Sequence, residues 1–413
     1  YELNHTAAEW SRYDPELSPS PESPLAASVT PEVLVENLEI PWDLAFAPNG
    51  ELFVTERTGR VRRFDGDGLE TVAAPGAVID AEATDPGPDD KPHWETWFLE
   101  GGEGGMLGVA VHPKYPNAPY LFVYFTAETD DGPVNRVVRY DVDAEDPAST
   151  GRVVVDGIPA DSVHNGGRIA FGPENYLWIT TGDAGQGQLA QDTSSLAGSV
   201  LRVNAVGDPA PGNPDLPGDD SDSRIYTYGH RNPQCITWLP DATPVITEHG
   251  PDGHDEVNRL APGANYGWPE ARTREQYAGT DFRRPLVNTP KSWGVCGGVF
   301  YTGDAIPEWR NRLVFGALIG QRVNVVTLAD DADDLPPVGD ERAMAFDADW
   351  LDDSYATTAH WTLTDVLGRV RHVEQGPDGH LYALTSNRDG RPKGDSFPRQ
   401  RDDVLVRLTP DGR

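Results

Sequence analysis

The sequence predicts an all-β fold, a six-bladed β-propeller built from four-stranded antiparallel blades. One observation is the density of turn formers, since 43 glycines and 37 prolines among 413 residues cut the chain into short strands. The other is a repeat, because an apolar strand beside a proline-centred turn recurs every 60 to 70 residues. The six turns are centred on Pro48, Pro113, Pro173, Pro240, Pro307 and Pro377.

Each repeat supplies an apolar strand, a turn and a second strand of small and branched residues. In chain order the repeats are AFAPNGELFVTE, AVHPKYPNAPYLFVYF, AFGPENYLWITTGD, TWLPDATPVITEHG, DAIPEWRNRLVFGAL and EQGPDGHLYALTSN. No single unit can bury both faces of its sheet, and a radial array of blades solves that problem. The alternative is a pair of β-sandwiches with fortuitous prolines.

The chain is predicted to form one domain with a short extension. Residues 31–413 carry all six repeats and form the propeller. Residues 1–30 are rich in Pro and Ser, with SPSP and SP between positions 18 and 24, which is typical of a stalk that tethers an exported domain. The chain begins with Tyr1 rather than Met, which suggests either that a leader was removed or that the given chain was shortened at this end. We therefore expect the protein to be secreted or held at the cell surface.

The charge of the chain excludes several classes of partner. Asp and Glu total 67 against 33 Lys and Arg, a formal net charge of -34, and only four of the basic residues are Lys. Such a surface repels phosphate backbones and anionic lipid, so nucleic-acid binding is disfavoured. No apolar run is long enough to span a membrane. Because concentrated salt screens self-repulsion, we expect a halophilic source, with an ordinary acidic secreted protein as the alternative.

A histidine and an aspartate flank a predicted strand in the third repeat. His164 opens the motif HNGGR, and Asp183 follows the strand in the motif GDAG. If the two side chains pair, the carboxylate fixes the imidazole tautomer and leaves the other ring nitrogen as a general base. A structural His–Asp hydrogen bond explains the same spacing equally well.

Three further clusters carry cationic or hard oxygen groups. Arg231, in YGHRNPQC, can hold a carboxylate or stabilise an oxyanion, with a surface salt bridge as the alternative. The segment EHGPDGHDE at residues 248–256 is rich in the oxygen ligands that Ca²⁺ takes, with an acidic loop without metal as the alternative. Arg369 and Arg371 lie on one side of a strand, where they can clamp an anion. Without a ligand they would be a costly pair of like charges.

Six ordered motifs resemble the soluble PQQ-dependent sugar dehydrogenases, the glucose/sorbosone dehydrogenase family, whose fold is a six-bladed β-propeller. They are PWDLAFAPNGELFVTERTGRV, GEGGMLGVAVHP, HNGGRIAFGPENYLWITTGDAG, YGHRNPQ, EHGPDGHDEVN with NYGWP, and GRVRHVEQGPDGHLYALTSNRDGR. The resemblance runs from about Glu39 to Leu408, and the acidic composition makes the chain a haloarchaeal-like member. It implies PQQ and Ca²⁺ as cofactors.

The resemblance implies catalytic roles for three residues. His164 matches the base that takes the proton of the sugar's anomeric hydroxyl while hydride passes to the quinone. Asp183 matches the carboxylate that orients this base. Arg231 matches the residue that stabilises negative charge as it develops on the quinone.

The resemblance also implies ligands for the cofactor and for calcium. Positions that face PQQ or the substrate in the family are matched here by Arg231, Asn232, Arg369, Arg371 and Glu103. The backbone carbonyls of Gly250 and Pro251 match those that hold the calcium beside the cofactor. Glu256 and Tyr266 match ligands of a second calcium in some members.

Three segments depart from the family's pattern. Ile319 lies at or near a position where members usually have Lys, which removes an ammonium contact to the quinone. Trp293 lies in an altered segment, where it covers the cofactor plane or fills the core. Cys235 and Cys296 both fall on altered segments of the same rim, and we expect a Cys235–Cys296 disulfide there.

Together the motifs imply a secreted, PQQ- and Ca²⁺-dependent aldose dehydrogenase that oxidises the anomeric carbon of a sugar to a lactone. Its electron acceptor is unidentified, and it is expected to be a monomer or a homodimer. The rival, favoured by Ile319, is a non-catalytic, calcium-stabilised propeller that serves as a binding or cell-surface module. A calcium-dependent lactone hydrolase on the same fold is a third interpretation, which requires a metal-bound water instead of an arginine-lined slot.

Overall fold

The computed structural model describes residues 3, 5, 18–20, 22–64, 66, 68–75, 78, 102–389, 391, 397 and 399–411. Much of the predicted stalk lies outside the described residues. The strands form six separate antiparallel sheets, five of four strands and one of five. The predicted six-bladed β-propeller is therefore confirmed.

The strands follow one another in blade order, apart from an N-terminal strand, β1 (Val29–Val35). Blade 1 contains β2 (Pro41–Phe46), β3 (Leu52–Glu56), β4 (Arg60–Phe64) and β5 (Leu69–Ala73). Blade 2 contains β6 (Met106–Val111), β7 (Tyr120–Ala127), β8 (Val134–Asp141) and β9 (Arg152–Pro159). Blade 3 contains β10 (Ile169–Phe171), β11 (Leu177–Thr180), β12 (Ser199–Val203) and β13 (Ile225–Tyr228).

Blade 4 contains β14 (Thr237–Trp238), β15 (Pro244–Glu248), β16 (Glu256–Arg259) and β17 (Val287–Asn288). Blade 5 contains β18 (Val295–Tyr301), β19 (Arg312–Ala317), β20 (Arg322–Ala329), β21 (Ala343–Ala345) and β22 (Ala356–Thr362), with β21 at the outer edge. Blade 6 contains β23 (Val370–Gln375), β24 (Leu381–Thr385) and β25 (Leu405–Pro410). The described helical segments are single turns at Pro24–Ala26, Pro147–Thr150, Gly187–Gln191, Arg274–Tyr277, Pro307–Trp309 and Ala332–Asp334, and none is long and apolar enough to cross a membrane.

The six repeat prolines occupy equivalent places in the blades. Each lies in the connection between the first strand of a blade and the second, as Pro48 does between β2 and β3. All six connections therefore lie at one end of the propeller. The residues that enter the first strands, such as 164–168 before β10 and 231–236 before β14, gather at the opposite end.

Apolar side chains fill the contacts between neighbouring blades. Phe53 and Phe125 belong to a cluster shared by blades 1 and 2, and Trp178 and Trp238 to one shared by blades 3 and 4. Leu44 and Leu384 belong to a cluster that joins blade 6 to blade 1. Because each sheet buries both faces against neighbours, no blade is stable without the ring.

The N-terminal strand β1 closes this ring by pairing with β25 as the outer strand of blade 6. The chain just before it, from the predicted stalk, packs on blade 5. There Trp309 donates its Nε1 to the carbonyl of Pro24 at 3.0 Å, and Arg312 donates Nη2 to the carbonyl of Glu22 at 2.9 Å. The described part of this extension is therefore in contact with the propeller.

The predicted Cys235–Cys296 disulfide is wrong, because both residues are buried free thiols. The Cys235 thiol donates to the carbonyl of Gly298, with 3.1 Å between Sγ and O. Cys296 Sγ accepts from Arg371 Nη1 at 3.7 Å. Each sulfur thus has its own polar partner, and both cysteines are fully buried.

We expect the two thiols to resist modification in the folded protein. Burial raises the pKa of Cys235 to about 12, which suppresses the reactive thiolate, and burial also raises the pKa of Cys296. Titration of unreduced protein with a thiol-reactive dye should give no fast reaction when native and two thiols in denaturant. Finding no thiol in denaturant would mean that the disulfide exists after all.

Removal of β1 should destabilise the whole propeller. A chain that starts at Asn37 leaves the β25 edge unpaired, and such an edge promotes aggregation. We expect its Tm to fall by roughly 10 °C or more, with light scattering rising on heating. A chain that starts at Ser18 keeps β1 and its contacts on blade 5, and serves as the control. Equal Tm values for the two truncated chains would contradict the closing role of β1.

Candidate functional site

A cavity of about 270 Å³ lies at the end of the propeller where the first strands of the blades begin. All six blades contribute to its wall. The lining residues are Trp42, Arg57, Glu103, Asn165, Gly166, Asn232, Gln234, His249, Gly294, Leu318, Ile319, Arg369, Arg371, Asp389 and Arg391. The structure therefore brings together Glu103, Asn232, Arg369 and Arg371, which the sequence assigns to the site from positions far apart in the chain.

His164 and Asp183 form the predicted pair beside this cavity. His164 Nδ1 lies 2.6 Å from Asp183 Oδ1. Asp183 is only 1% exposed and accepts further hydrogen bonds from Trp268 Nε1 at 2.7 Å and from the Gly185 amide at 2.8 Å. With its carboxylate held in place, Nδ1 is the donor and Nε2 is left as the basic ring nitrogen. The next residue, Asn165, lines the cavity.

A glycine allows this pair to form. His164 has a left-handed backbone conformation, with φ of 56°. The segment that follows β11 passes close to His164 before it reaches Asp183, and a Cβ on Gly182 would lie 1.8 Å from the His164 carbonyl oxygen. Only glycine permits so close an approach of two backbones. The GD dipeptide is therefore required by the geometry of the His–Asp pair.

Glu103 connects residues from four blades. Its Oε2 accepts from the His164 amide at 2.7 Å and from Asn232 Nδ2 at 3.4 Å, and its Oε1 lies 3.0 Å from Arg391 Nη2. Burial alone would raise the pKa of Glu103, but Arg391 and the His164 amide outweigh burial and lower it. Glu103 is therefore ionised, and it holds the backbone of His164 through the hydrogen bond from the His164 amide.

Arg231 and Asn232 follow blade 3 and enter blade 4. The Asp183 amide donates to the Arg231 carbonyl at 2.8 Å, and Arg231 in turn donates its own amide to the Glu248 carboxylate. The Arg231 guanidinium lies 5.4 Å above the Trp268 ring, and burial lowers its pKa. Asn232 Oδ1 accepts from the Gly166 amide at 3.0 Å. Backbone and side-chain hydrogen bonds thus link the entries of blades 3 and 4.

Asp389 reduces the electrostatic cost of placing the like charges of Arg369 and Arg371 side by side. Its Oδ2 lies 2.7 Å from Arg369 Nη2 and 3.7 Å from Arg371 Nη2, and all three side chains are buried. Burial alone would raise the pKa of Asp389, but the two arginines outweigh burial and lower it. Without any ligand, the arginine pair is therefore already half neutralised.

The sequence assigned no role to Asp389 or to three other lining residues, Arg57, His249 and Arg391. Asp389 and Arg391 stand in NRDGR, at the end of the last quoted motif, so their position was a usable signal. Arg57 stands in ERTGR of the first motif and donates Nε and Nη2 to the carbonyls of Gly104 and Gly102 at 3.0 and 2.7 Å. Burial lowers the pKa of Arg57 to about 9.

The predicted calcium residues line a separate small cleft of about 20 Å³. Its wall includes Arg231, Glu248, His249, Gly250, Pro251, Glu256 and Tyr266, so His249 borders both spaces. Glu248 and Glu256 are opposite each other on β15 and β16. Burial and the charge of Glu248 raise the pKa of Glu256 to about 8. Within the described ranges, no three His, Cys, Asp or Glu side chains form a ready metal site.

Trp293 lies in the core, whereas Ile319 lies at the rim of the cavity. The Trp293 ring packs in the core, 5.9 Å from Trp361, with the Arg322 guanidinium 4.6 Å above it. It is not among the residues that line the cavity, whereas its neighbour Gly294 is. Ile319 lines the cavity and is 60% exposed. An uncharged side chain thus stands at the rim of the cavity.

Comparison with known proteins agrees with the fold and identifies the family. A model of the glucose/sorbosone dehydrogenase family matches residues 38–394. The chain belongs to this family. A relative, aldose sugar dehydrogenase YliI of Escherichia coli K12, is 31% identical over 382 residues, which are 88% of this chain and 92% of the relative.

Solved structures of similar proteins extend the agreement to the whole propeller. An oxidoreductase of Thermus thermophilus, described as a glucose dehydrogenase, is 36% identical, with 92% of this chain and 100% of its own covered at a TM-score of 0.71. The PQQ-bound aldose sugar dehydrogenase of Streptomyces coelicolor is 30% identical, with 95% and 99% covered at a TM-score of 0.70. The predicted membership of the glucose/sorbosone dehydrogenases is confirmed.

In this glucose/sorbosone dehydrogenase, Asp389→Asn should lower stability through the arginine pair. Loss of the charge leaves two buried guanidinium groups facing each other, at a cost of about 3–5 kcal/mol in the free energy of unfolding. Because the pKa of Asp389 is lowered by folding, its contribution is present above the pKa of an unfolded aspartate, about 4. It is lost as the pH falls through the lower folded-state pKa.

Urea unfolding of the wild type and of Asp389→Asn at pH 7 and at pH 3 measures this effect. The difference in the free energy of unfolding should be large at pH 7 and should shrink in acid. Asp378→Asn, on an exposed turn of the same blade, is the control. A difference that stays constant with pH would rule out the ionised carboxylate as its source.

Proposed function

We propose that the chain is a PQQ- and Ca²⁺-dependent aldose dehydrogenase that oxidises the anomeric carbon of a sugar to a lactone. One observation carries the proposal. An oriented His164–Asp183 pair adjoins a cavity lined by Arg57, Arg369, Arg371 and Arg391. A general base beside a concentration of guanidinium groups suits proton removal next to a bound anion.

The residues present fit a planar tricarboxylate cofactor. Within the described part of the chain, the buried Nε atoms of Arg231 and Arg371 have no hydrogen-bond partner. Buried charged donors of this kind are costly unless a ligand satisfies them. Arg369 and Arg371 would hold cofactor carboxylates, and Asn232 and Arg231 would contact the quinone oxygens. When bound, PQQ supplies the quinone carbon that accepts hydride from the sugar.

Calcium fits the neighbouring cleft. Carboxylate and carbonyl oxygens are the ligands that Ca²⁺ takes, and the buried carboxyl groups of Glu248 and Glu256 stand opposite each other on β15 and β16. The carbonyls of Gly250 and Pro251 would hold the ion that also binds the cofactor, and Glu256 and Tyr266 would hold a second ion. Arg231 also lines this cleft, so a calcium ion held there would add a second positive charge beside its guanidinium group.

In the reaction, the protein moves one proton and holds the reacting groups. His164 Nε2 takes the proton of the anomeric hydroxyl, and Asp183 stabilises the resulting imidazolium through Nδ1. The sugar loses this proton and a hydride from C1. The loss of both oxidises C1 to the lactone carbonyl. Arg231 stabilises the negative charge that the hydride brings. Glu103 keeps the backbone of His164 in place throughout.

We also propose that the enzyme works outside the cell in concentrated salt, as a monomer or homodimer. The net charge of -34 supports the preference for salt, because counter-ions screen self-repulsion. The family resemblance supports a small sugar as substrate. Its electron acceptor remains to be identified.

The exposed, uncharged Ile319 at the rim favours the second candidate, a propeller that binds calcium and not PQQ. An absorbance titration with PQQ in calcium buffer discriminates the two. Saturable binding supports the dehydrogenase. Absence of binding by folded protein supports the binding module.

Substitutions in the His–Asp pair should lower activity, and the two residues should differ in the size of the loss. After reconstitution with PQQ and Ca²⁺, dye reduction by a panel of aldoses is expected for the wild type. His164→Ala removes the base and should lower kcat by about 100-fold or more. Asp183→Asn keeps a side chain of the same size and should lower kcat by a smaller factor, because His164 loses its orientation and charge partner.

Circular dichroism, Tm and the Kd of PQQ are the controls for folding, stability and cofactor binding of the two variants. For His164→Ala, each of these measurements should stay near its wild-type value. No turnover of any aldose by correctly folded, PQQ-loaded wild type would refute the dehydrogenase. Full activity of His164→Ala would show that another group is the base.

A further inference from the structure

We infer that a second ligand site, for a neutral polyhydroxyl compound such as a sugar or a sugar alcohol, lies at the other end of the propeller channel. A cavity of about 500 Å³, here called the lower cavity, lies where the repeat prolines gather, with Pro48 and Pro113 in its wall. Among the described residues, none lines both this cavity and the upper cavity, the one beside His164. The inference is therefore independent of the proposed function.

A buried polar layer separates the lower cavity from the upper cavity. Arg168 donates Nε to the Gln234 carbonyl at 3.0 Å, and its guanidinium lies 4.2 Å from the centre of the Trp42 ring. Gln234 and Trp42 line the upper cavity, whereas Arg168 and Asp43 line the lower one. Asp43 forms an ion pair with Arg168 and accepts from the Val109 amide at 3.0 Å. Residues from several blades thus fix the polar floor of the lower cavity.

Some nitrogen atoms of this floor have no hydrogen-bond partner within the described part of the chain. They are both ring nitrogens of His372 and Nη2 of Arg168. His372 Nε2 lies 3.4 Å from Asp43 Oδ1 and 3.7 Å from Glu374 Oε2, without forming a hydrogen bond to either. His372 is 2% exposed and Arg168 3% exposed, and both line the lower cavity. Because buried polar atoms normally have a partner, these nitrogens point to a ligand.

A glycine of blade 5 brings two of these nitrogens together. A Cβ on Gly297 would lie 2.0 Å from His372 Nδ1 and 2.4 Å from Arg168 Nη2. Only glycine leaves room for both groups against the same point of β18. The two nitrogens are therefore close enough for one ligand to contact both.

The donors and acceptors of the floor suit hydroxyl groups. Burial, with a smaller contribution from the charge of Arg168, lowers the pKa of His372 to about 3, so its ring is neutral. A neutral imidazole has one donor and one acceptor nitrogen, and a hydroxyl can satisfy either of them as well as a guanidinium N–H. Since Asp43 already offsets the charge of Arg168, a neutral ligand fits better than an ion.

The wall around the polar floor is largely apolar. Phe46 and Phe171 line the lower cavity, and each ring is held edge to face by a neighbour, Tyr382 at 5.0 Å and Phe122 at 5.1 Å between ring centres. Ordered aromatic rings of this kind can pack against the C–H groups of a sugar. A small number of polar groups within an apolar wall, in a cavity of several hundred Å³, is typical of a small-molecule site.

Titration of the protein without PQQ with D-sorbitol, followed by ligand-observed NMR, tests the assignment. Sorbitol has the hydroxyl groups of a sugar and no anomeric hydroxyl, so no turnover accompanies binding. We expect a Kd of about 1 mM, which suits a ligand of this size. His372→Phe keeps a ring and removes both nitrogens, and it should raise the Kd by about 10-fold or more. His372→Gln, which keeps one donor and one acceptor group, should give an intermediate Kd.

The matched control is His380→Phe, which changes a histidine of the same blade that pairs with Asp378 at 3.2 Å outside the lining of the lower cavity. Its Kd should equal that of the wild type, and circular dichroism and Tm verify the folding of each variant. No saturable binding by the wild type would overturn the assignment. Binding that a folded His372→Phe leaves unchanged would place sorbitol elsewhere and would overturn it too.

A crystal of the wild type soaked in sorbitol gives a second test, which does not depend on the folding of any variant. Sorbitol in contact with His372 and Arg168 supports the assignment. Water alone in the lower cavity, at a concentration that saturates binding in solution, refutes it. Neither experiment involves PQQ, so a failure here leaves the proposed dehydrogenase untouched.

Discussion

Closure of the ring is the constraint on which the rest of the molecule depends. Six sheets bury their faces only against one another, so the last blade must meet the first. The pairing of β1 with β25 completes that last blade from the two ends of the chain. Once the ring is closed, the entries of the first strands of all blades face one axis. The cavity is the space enclosed by these entries, and each blade adds a few side chains to it.

The electrostatics of the cavity oppose those of the chain as a whole. A net charge of -34 spreads over the molecule, while guanidinium groups from two blades line one enclosed space. Buried like charges are unfavourable, and the structure reduces this cost with buried carboxylates, Asp389 beside Arg369 and Glu103 beside Arg391. Among the residues that line the cavity, arginines outnumber carboxylates, which suits the anionic cofactor that we propose. The backbone of His164 is held by one of the same carboxylates, so the position of His164 and the charge balance depend on one residue.

The surroundings of Cys235 and Cys296 in the folded chain decide whether these two residues form a disulfide. Cys235 and Cys296 are the two cysteines of the chain, and both lie at inner positions of adjacent blades. In an oxidising compartment, two cysteines on neighbouring segments suggest a disulfide. The structure instead gives each sulfur a separate polar contact, with Gly298 and with Arg371. Cys296 thereby contacts a residue of the cavity wall and adds to the packing behind it.

The sequence alone determined the features that depend on local pattern. Proline turns repeat once per blade, and His164 and Asp183 flank a single hairpin, β10 to β11, so both the blade number and this pair could be predicted. The roles of Glu103, Asp389 and Arg391, the free thiols, the core position of Trp293 and the closure by β1 were decided by the tertiary structure. Each depends on contacts between blades or across the axis. Strand periodicity reports which face of a sheet is buried, but the radial packing of the closed ring decides which side chains meet there.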